Sequence, residues 1–78
     1  MVRVVVYFAN DCSLCERVKR TLEELEPEHG FALEEIDIAG DPELEQRYGD
    51  RIPVVLMDGE EAFTYFVHPD ALRRKLQR

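Results

Sequence analysis

The strongest constraint on the fold of this chain is the position of its two cysteines. An almost continuous apolar run from Val2 to Phe8, rich in β-branched residues, predicts a β-strand buried on both faces. Cys12 and Cys15 follow closely, and from there apolar residues recur at the spacing of a helix that buries one face. The cysteine pair therefore marks the junction between a strand and a helix, with Asp11 as the expected N-cap.

A thiol at the start of a helix has unusual chemistry. The helix N-terminus presents unpaired backbone N–H groups and a partial positive charge, which stabilise a thiolate. The pKa of a cysteine there falls from about 8.5 towards roughly 3.5–7.5, so Cys12 becomes a nucleophile at neutral pH. The carboxylate of Asp11 should oppose this effect through repulsion between like charges. Cys15 lies one turn later on the same face and can close a disulfide, so the pair predicts redox chemistry in which Cys12 attacks and Cys15 resolves.

Two other interpretations of the cysteine pair stay open. In the first, the thiols are inert residues on a helix, with Cys15 on its apolar face. In the second, the pair binds a metal. Zinc would need more ligands, and neither His29 nor His68 falls at finger-like spacing from the cysteines. An iron–sulfur cluster shared by two chains also belongs to this second class.

The remaining sequence predicts three more strands and two more helices. Apolar patterns favour strands over residues 31–38, 53–57 and 62–66, and helices over residues 42–48 and from residue 69. Asp58-Gly59 is expected to form a two-residue hairpin turn between the last two strands. The order is βαβαββα. Its first two strands are expected to be parallel, with a right-handed crossover between them.

Composition and charge bound the function classes. The 78 residues suffice for one domain, residues 1–78, and 10 basic against 17 acidic residues give a net charge of −7. Such a surface repels phosphate backbones, so we expect no nucleic-acid partner. The longest apolar run, from Val4 to Ala9, is too short for a bilayer, which needs about 20 residues.

The start of the chain bears on its location. Met1-Val2-Arg3 leads directly into a strand pattern instead of a secretory signal. We expect a cytoplasmic protein without a membrane partner, and a monomer. In a reducing cytosol a disulfide is more often catalytic than structural.

The remaining charged and aromatic residues are expected to have structural roles. Arg73, Arg74, Lys75 and Arg78 suit the negative end of the last helix as a solvated basic face. The tyrosines and phenylalanines, Tyr65 among them, are expected in the core.

Three features together resemble the thioredoxin superfamily, and most of all its small glutaredoxin-like proteins. They are the order βαβαββα, the Cys12–Cys15 motif at the first strand–helix junction, and the segment Arg51-Ile52-Pro53-Val54-Val55. The likeness covers essentially the whole chain. It implies an α/β thioredoxin-like fold with a four-stranded mixed sheet and three helices. It also implies a cis Ile52–Pro53 bond that faces the cysteines, and an Ile52 backbone that pairs with an extended thiol substrate.

The chain departs from glutathione-using glutaredoxins in two places. These usually carry a basic residue before the first cysteine, where this chain has Asp11, and a Gly-Gly-x-Asp-like segment at the last helix, where it has Val67-His68-Pro69-Asp70. Asp70 could play the comparable substrate-binding role, and Arg51 could contact a substrate carboxylate or thiolate near Pro53. These departures predict a poor glutathione-dependent enzyme that a dithiol donor still reduces.

We therefore expect a dithiol–disulfide oxidoreductase that reduces or exchanges disulfides of proteins or small molecules, without a cofactor or a metal. Its expected partners are a disulfide-containing protein or low-molecular-weight thiol, and a reductase or thiol electron donor. The alternative is a non-enzymatic module that binds or transfers a metal or an iron–sulfur cluster through the same cysteines. The expected site consists of the catalytic Cys12 and Cys15 and the substrate-binding Arg51, Ile52, Pro53 and Asp70.

Overall fold

Seven elements of secondary structure follow one another in the computed structural model, which describes residues 1–77. They are β1 (Arg3–Phe8), α1 (Ser13–His29), β2 (Ala32–Asp37), α2 (Pro42–Tyr48), β3 (Val54–Met57), β4 (Glu60–Thr64) and α3 (Pro69–Leu76). The predicted order βαβαββα is confirmed. Arg78, which the sequence adds to the basic face of the last helix, lies outside the described residues.

The four strands form one mixed sheet in the order β2–β1–β3–β4. β1 and β2 are parallel, joined through α1, and the other two pairings are antiparallel. The hairpin between β3 and β4 turns at Asp58 and Gly59. Both have a positive φ, of 50° and 87°, as a two-residue hairpin turn of the favoured hand requires. The predicted α/β fold with a four-stranded mixed sheet and three helices is confirmed.

One face of the sheet packs against α1 and α3 and forms the core. The apolar residues of α1 recur every three or four positions, so they share the face that meets the sheet. The buried cluster consists of Val4, Val6, Val18, Leu22, Leu25, Phe31, Val55, Val67 and Leu72. This packing fixes the direction in which the N-terminus of α1 points.

The opposite face of the sheet is covered only in part, by the seven-residue helix α2. The buried Tyr48 ring of α2 stacks on Tyr7 of β1, with ring centroids 4.4 Å apart. Burial raises the pKa of the Tyr7 phenol, which stays neutral in this stack. Val5, on the same face of β1, is only half-buried. The prediction that β1 is buried on both faces is therefore wrong for this face, because α2 is too short to cover it.

The strand bounds differ from those predicted by one residue at the start of β1 and β3 and at both ends of β2, and by two residues at both ends of β4. β4 spans Glu60–Thr64 instead of residues 62–66, because the two-residue turn leads directly into pairing with β3. The strand ends there because Tyr65 has a positive φ of 73°, which a regular strand does not contain. β3 begins at Val54, after Pro53, which has no N–H to donate. Pro53 and Tyr65, which lie just outside β3 and β4, stand at the end of the sheet where β1 ends.

Two carboxyl groups meet where β2 packs beside α1. A hydrogen bond with Glu23 is the largest cause that raises the pKa of Glu35, and burial and the charge of Glu23 raise it further. Lys19 acts in the opposite direction and does not offset them. The folded chain therefore holds this proton more readily than the unfolded chain. Stability should fall as the pH rises through the window above the ordinary glutamate pKa of 4.5.

Replacement of Glu35 by glutamine should consequently stabilise the protein at neutral pH. Glu35→Gln removes the charge that faces Glu23, and for so exposed a pair the gain should be below about 1 kcal/mol. The gain should disappear below pH 4.5, where Glu35 is protonated in the folded and unfolded chains alike. Urea unfolding at neutral pH and below pH 4.5 measures the free energy of unfolding of both proteins.

Glu34→Gln is the matched control on the same strand. Glu34 pairs with Arg3 at 3.2 Å, so its replacement removes an attraction and should give no gain in stability. An equal gain from both variants would mean that general charge reduction, and not the contact with Glu23, is responsible.

Candidate active site

Cys12 is the residue that caps α1. Its backbone is extended, with φ −129° and ψ 107°, and the Cys15 N–H donates a hydrogen bond of 3.1 Å to Cys12 Sγ. The sulfur occupies the place that an Asp or Ser oxygen usually takes at a helix N-terminus. The prediction that Asp11 is the N-cap is wrong, because the helix begins one residue later and Asp11 is exposed before it.

The two cysteines are joined in a disulfide, with their Cα atoms 5.2 Å apart. They differ in access, because Cys15 is 1% exposed on the apolar face of α1 whereas Cys12 is half-buried at the helix tip. Cys12 is therefore the sulfur that a second molecule can reach. The bound N–H and the positive end of α1 favour negative charge on this sulfur once the disulfide is reduced.

Pro53 lies at the end of the sheet where β1 ends and the loop that leads to Cys12 begins. In the antiparallel pairing of β1 and β3, Tyr7 faces Val54, so Pro53 stands opposite the end of β1. The Ile52–Pro53 peptide bond is cis, as the resemblance implies, and Pro53 is buried while Ile52 is half-buried. The topology brings Ile52 and Pro53 to the same end of the sheet as Cys12.

Arg51 belongs to the same loop, but its guanidinium is bound to its own chain. Nη1 donates to Glu61 Oε1 at 2.6 Å, and Nη2 donates to the carbonyl oxygen of Arg47 at 3.0 Å. The guanidinium carbon also lies 5.7 Å from the centre of the Tyr48 ring. The structure therefore places Arg51 near the site with its charge already partnered.

Asp70 lies in the first turn of α3 and is exposed. Its Oδ1 accepts a hydrogen bond from Arg73 Nη1 at 3.0 Å, and Arg73 Nε also donates to His29 Nε2 at 3.4 Å. The start of α3 is poor in donors, because Pro69 has no N–H, and it has no side-chain cap, because His68 makes no capping hydrogen bond. Asp70 is thus paired with a cation of its own helix.

Two residues that contact the loop of Pro53 are missing from the site predicted by the sequence. Glu61 pairs with Arg51, and the Tyr65 N–H donates to the Pro53 carbonyl at 2.9 Å. The prediction that Tyr65 is a core residue is wrong, since it is 45% exposed and the neighbouring Phe66 is 55% exposed. Both follow the end of β4 and lie in the loop before α3. No local sequence signal marks these contacts, which depend on how β4 pairs with β3.

Two further structural findings concern residues 1–77. No three His, Cys, Asp or Glu side chains in this range come together in a group that could hold a metal ion. A metal bound through Cys12 and Cys15 would need further ligands. No helix in the same range combines the length and apolar composition needed to cross a membrane.

The sequence has relatives among known proteins. Residues 3–77 match the family described as "Glutaredoxin-like domain (DUF836)". An uncharacterised protein of Mycobacterium tuberculosis is 40% identical over a region covering 86% of this chain and 74% of the relative. An uncharacterised protein of Mycobacterium bovis shows the same identity and coverage.

Solved structures share the architecture. A protein from Nitrosomonas europaea, solved by NMR in solution, matches with a TM-score of 0.79 and 33% identity over 95% of this chain and 89% of its own. A thioredoxin mutant from Halobacterium salinarum gives a TM-score of 0.69 and 26% identity over 97% of this chain and 72% of its own. The expected thioredoxin-like fold is confirmed. With its Cys12–Cys15 pair, it supports thiol–disulfide redox chemistry in general.

The assignment of Cys12 as the nucleophile stays a prediction, which alkylation can test. In the reduced protein, limiting iodoacetamide at neutral pH should label Cys12 first, because Cys15 is buried and Cys12 Sγ is stabilised as a thiolate. Peptide mass mapping locates the label. In urea the preference should disappear, since both thiols are then exposed. Preferential labelling of Cys15 in the folded protein would reverse the assignment.

Proposed function

The chain belongs to the glutaredoxin-like domain family, and from this membership we propose that it is a dithiol–disulfide oxidoreductase acting on protein or small-molecule disulfides. The observation that carries the proposal is the asymmetric cysteine pair at the start of α1. Cys12 is accessible and its sulfur accepts a backbone N–H, whereas Cys15 is buried one turn away. A stabilised nucleophile and a nearby second thiol are what dithiol exchange requires.

The reaction consists of two exchanges of sulfur partners. The Cys12 thiolate attacks one sulfur of the substrate disulfide, whose S–S bond breaks, and the other substrate sulfur leaves as a thiolate that takes a proton from water. Cys15 then loses its proton to solvent and attacks Cys12 Sγ. This step forms the Cys12–Cys15 disulfide and releases the remaining substrate sulfur as a thiol. Two electrons pass to the substrate, and a dithiol donor or reductase returns the pair to its reduced form.

The burial of Cys15 favours this order of steps. A buried thiol does not meet a large substrate, but its Cα lies 5.2 Å from that of Cys12, within the range that a disulfide can bridge. Ile52 lies at the same end of the sheet, and we propose that its backbone pairs with an extended segment of the substrate. The substrate is then held through its main chain while Cys12 attacks its sulfur.

We further propose that a dithiol donor, and not glutathione, supplies the electrons. Glutathione carries two carboxylates and one ammonium group, so its capture needs cations or N–H donors around the thiol. This chain has the exposed Asp11 before Cys12 and a net charge of −7. Arg51 is paired with Glu61, and Pro69 removes an N–H from the start of α3. A dithiol donor needs no such anion site, because its own second thiol completes the exchange.

Replacement of Cys15 should trap the substrate on Cys12. In Cys15→Ser the mixed disulfide has no internal thiol to resolve it, so the reduced variant should form a covalent adduct with insulin that excess dithiol removes. Non-reducing electrophoresis and mass spectrometry detect the adduct. Cys12→Ser is the matched control and should form none. Absence of an adduct with Cys15→Ser, or equal adducts with both variants, would refute the proposed function.

Glutathione should be a poor reductant of the oxidised protein. Reduction of the Cys12–Cys15 disulfide by glutathione should be at least about tenfold less efficient than by a thioredoxin-type dithiol, the difference expected from one missing charge-assisted hydrogen bond. The rate of reduction by glutathione should rise linearly with glutathione concentration instead of saturating. Coupled consumption of nicotinamide cofactor measures both reactions. Efficient, saturable turnover with glutathione would contradict the proposed donor.

A further inference from the structure

The loop that carries Ile52 and Pro53 has no regular secondary structure of its own. Residues 49–53 connect α2 to β3 through turns. Backbone pairing with a substrate needs this loop at a fixed place, because hydrogen bonds weaken steeply when donor and acceptor are misaligned. Contacts from the neighbouring elements therefore decide how well the loop is fixed.

Arg51 makes most of these contacts. Its backbone N–H donates to the Tyr48 carbonyl at 2.9 Å. Its guanidinium joins the carbonyl of Arg47 on α2, at 3.0 Å, to Glu61 on β4, at 2.6 Å. The planar guanidinium suits this task because it donates in two fixed directions at once. Together the side chains of Arg51 and Glu61 form an ion pair, the clasp, that ties the loop to β4.

A register shift in the β3–β4 hairpin makes the clasp possible. Val55 pairs with Phe63, and both pack in the core, whereas the next residue Leu56 pairs with Glu61, so that Ala62 is skipped. In a regular strand, residues 61 and 63 would share a face. The shift turns Glu61 to the opposite face of the sheet, where α2 lies.

A second contact from the same part of the chain holds the loop. Tyr65 directly follows β4, and its N–H donates to the Pro53 carbonyl at 2.9 Å while its hydroxyl donates to the Asp50 carbonyl at 3.4 Å. Its positive φ of 73° is rare for a bulky residue and persists where surrounding contacts require it. The loop is thus bound to β4 and its extension on both sides of Ile52.

From these contacts we propose that Arg51 is a positioning residue, which through Glu61 holds Ile52 and Pro53 beside Cys12 for a polypeptide substrate. This inference rests on the proposed function. The guanidinium is satisfied by two acceptors of its own chain, so it is not a free cation for a substrate carboxylate. A polypeptide disulfide depends on the clasp because it pairs with the Ile52 backbone. A small disulfide that meets only Cys12 does not.

Steady-state kinetics of Arg51→Gln, Glu61→Gln and the double variant test this role. Each single variant should raise the KM for insulin about two- to fivefold, as expected for the loss of an ion pair near the surface, with kcat nearly unchanged. The double variant should raise KM no further, because both changes open the same clasp. The rate with the small disulfide dithiobis(nitrobenzoate) should stay at the wild-type value.

The two variants separate positioning from direct binding, because Arg51→Gln removes the cation whereas Glu61→Gln keeps it and removes its nearer carboxylate partner, with Asp50 still 4.0 Å from Nε. If Arg51 binds the substrate itself, Glu61→Gln leaves the KM for insulin unchanged or lowers it, and that result overturns the proposal. Equal losses with insulin and dithiobis(nitrobenzoate) overturn it as well, because they indicate damage to the cysteine site or to the whole fold.

Arg3→Gln and Glu34→Gln are the matched controls. They break an ion pair of 3.2 Å at the start of β1, at the opposite end of the strand from the cysteines, and should leave both activities at the wild-type level. Thermal unfolding checks that the clasp variants are folded as well as these controls. If the wild-type protein reduces neither disulfide, the proposed function fails. If it reduces both and the clasp variants match it, the positioning role alone fails.

Discussion

The packing of α1 on the sheet is the interaction on which the candidate site depends. Leu22 of α1 is buried in one cluster with Val4 and Val6 of β1, and each such side chain contributes about 1.5–3 kcal/mol through burial. Because α1 cannot rotate without exposing this face, its N-terminus is held at the end of β1. Cys12 receives a fixed place at that N-terminus, and the same contacts bury Cys15.

Two electrostatic effects of different range meet at the Cys12 sulfur. The positive end of α1 and the Cys15 N–H, at 3.1 Å, act on the sulfur directly. The net charge of −7 acts over a longer distance and is screened by salt over about 10 Å. At the sulfur itself the short-range contact dominates, whereas the wider field acts on an approaching ligand. A site of this kind suits a thiolate nucleophile and disfavours anionic substrates.

The two halves of the site are fixed by different forces. The cysteine half is held by apolar packing, which depends little on salt or pH. The half that carries Pro53 is held by polar contacts near the surface, chiefly the bonds of Arg51 and Tyr65. Surface ion pairs contribute only about 0–1 kcal/mol to stability, yet they can select one geometry for a loop. Under the proposed function, substrate binding can therefore change through surface residues while the fold and the cysteine chemistry persist.

The order of elements, the cysteine junction and the hairpin turn follow from the sequence by itself, because apolar periodicity, turn residues and cysteine spacing are local patterns. The N-cap required the structure, since Cys12 and Asp11 can both accept a helix N–H and backbone geometry selects between them. The partner of Arg51 and the exposure of Tyr65 were likewise decided by tertiary structure. The partner of Arg51 depends on a register shift between β3 and β4, which turns Glu61 to the face where α2 lies. Such a shift is a property of two paired strands, and neither strand carries it alone.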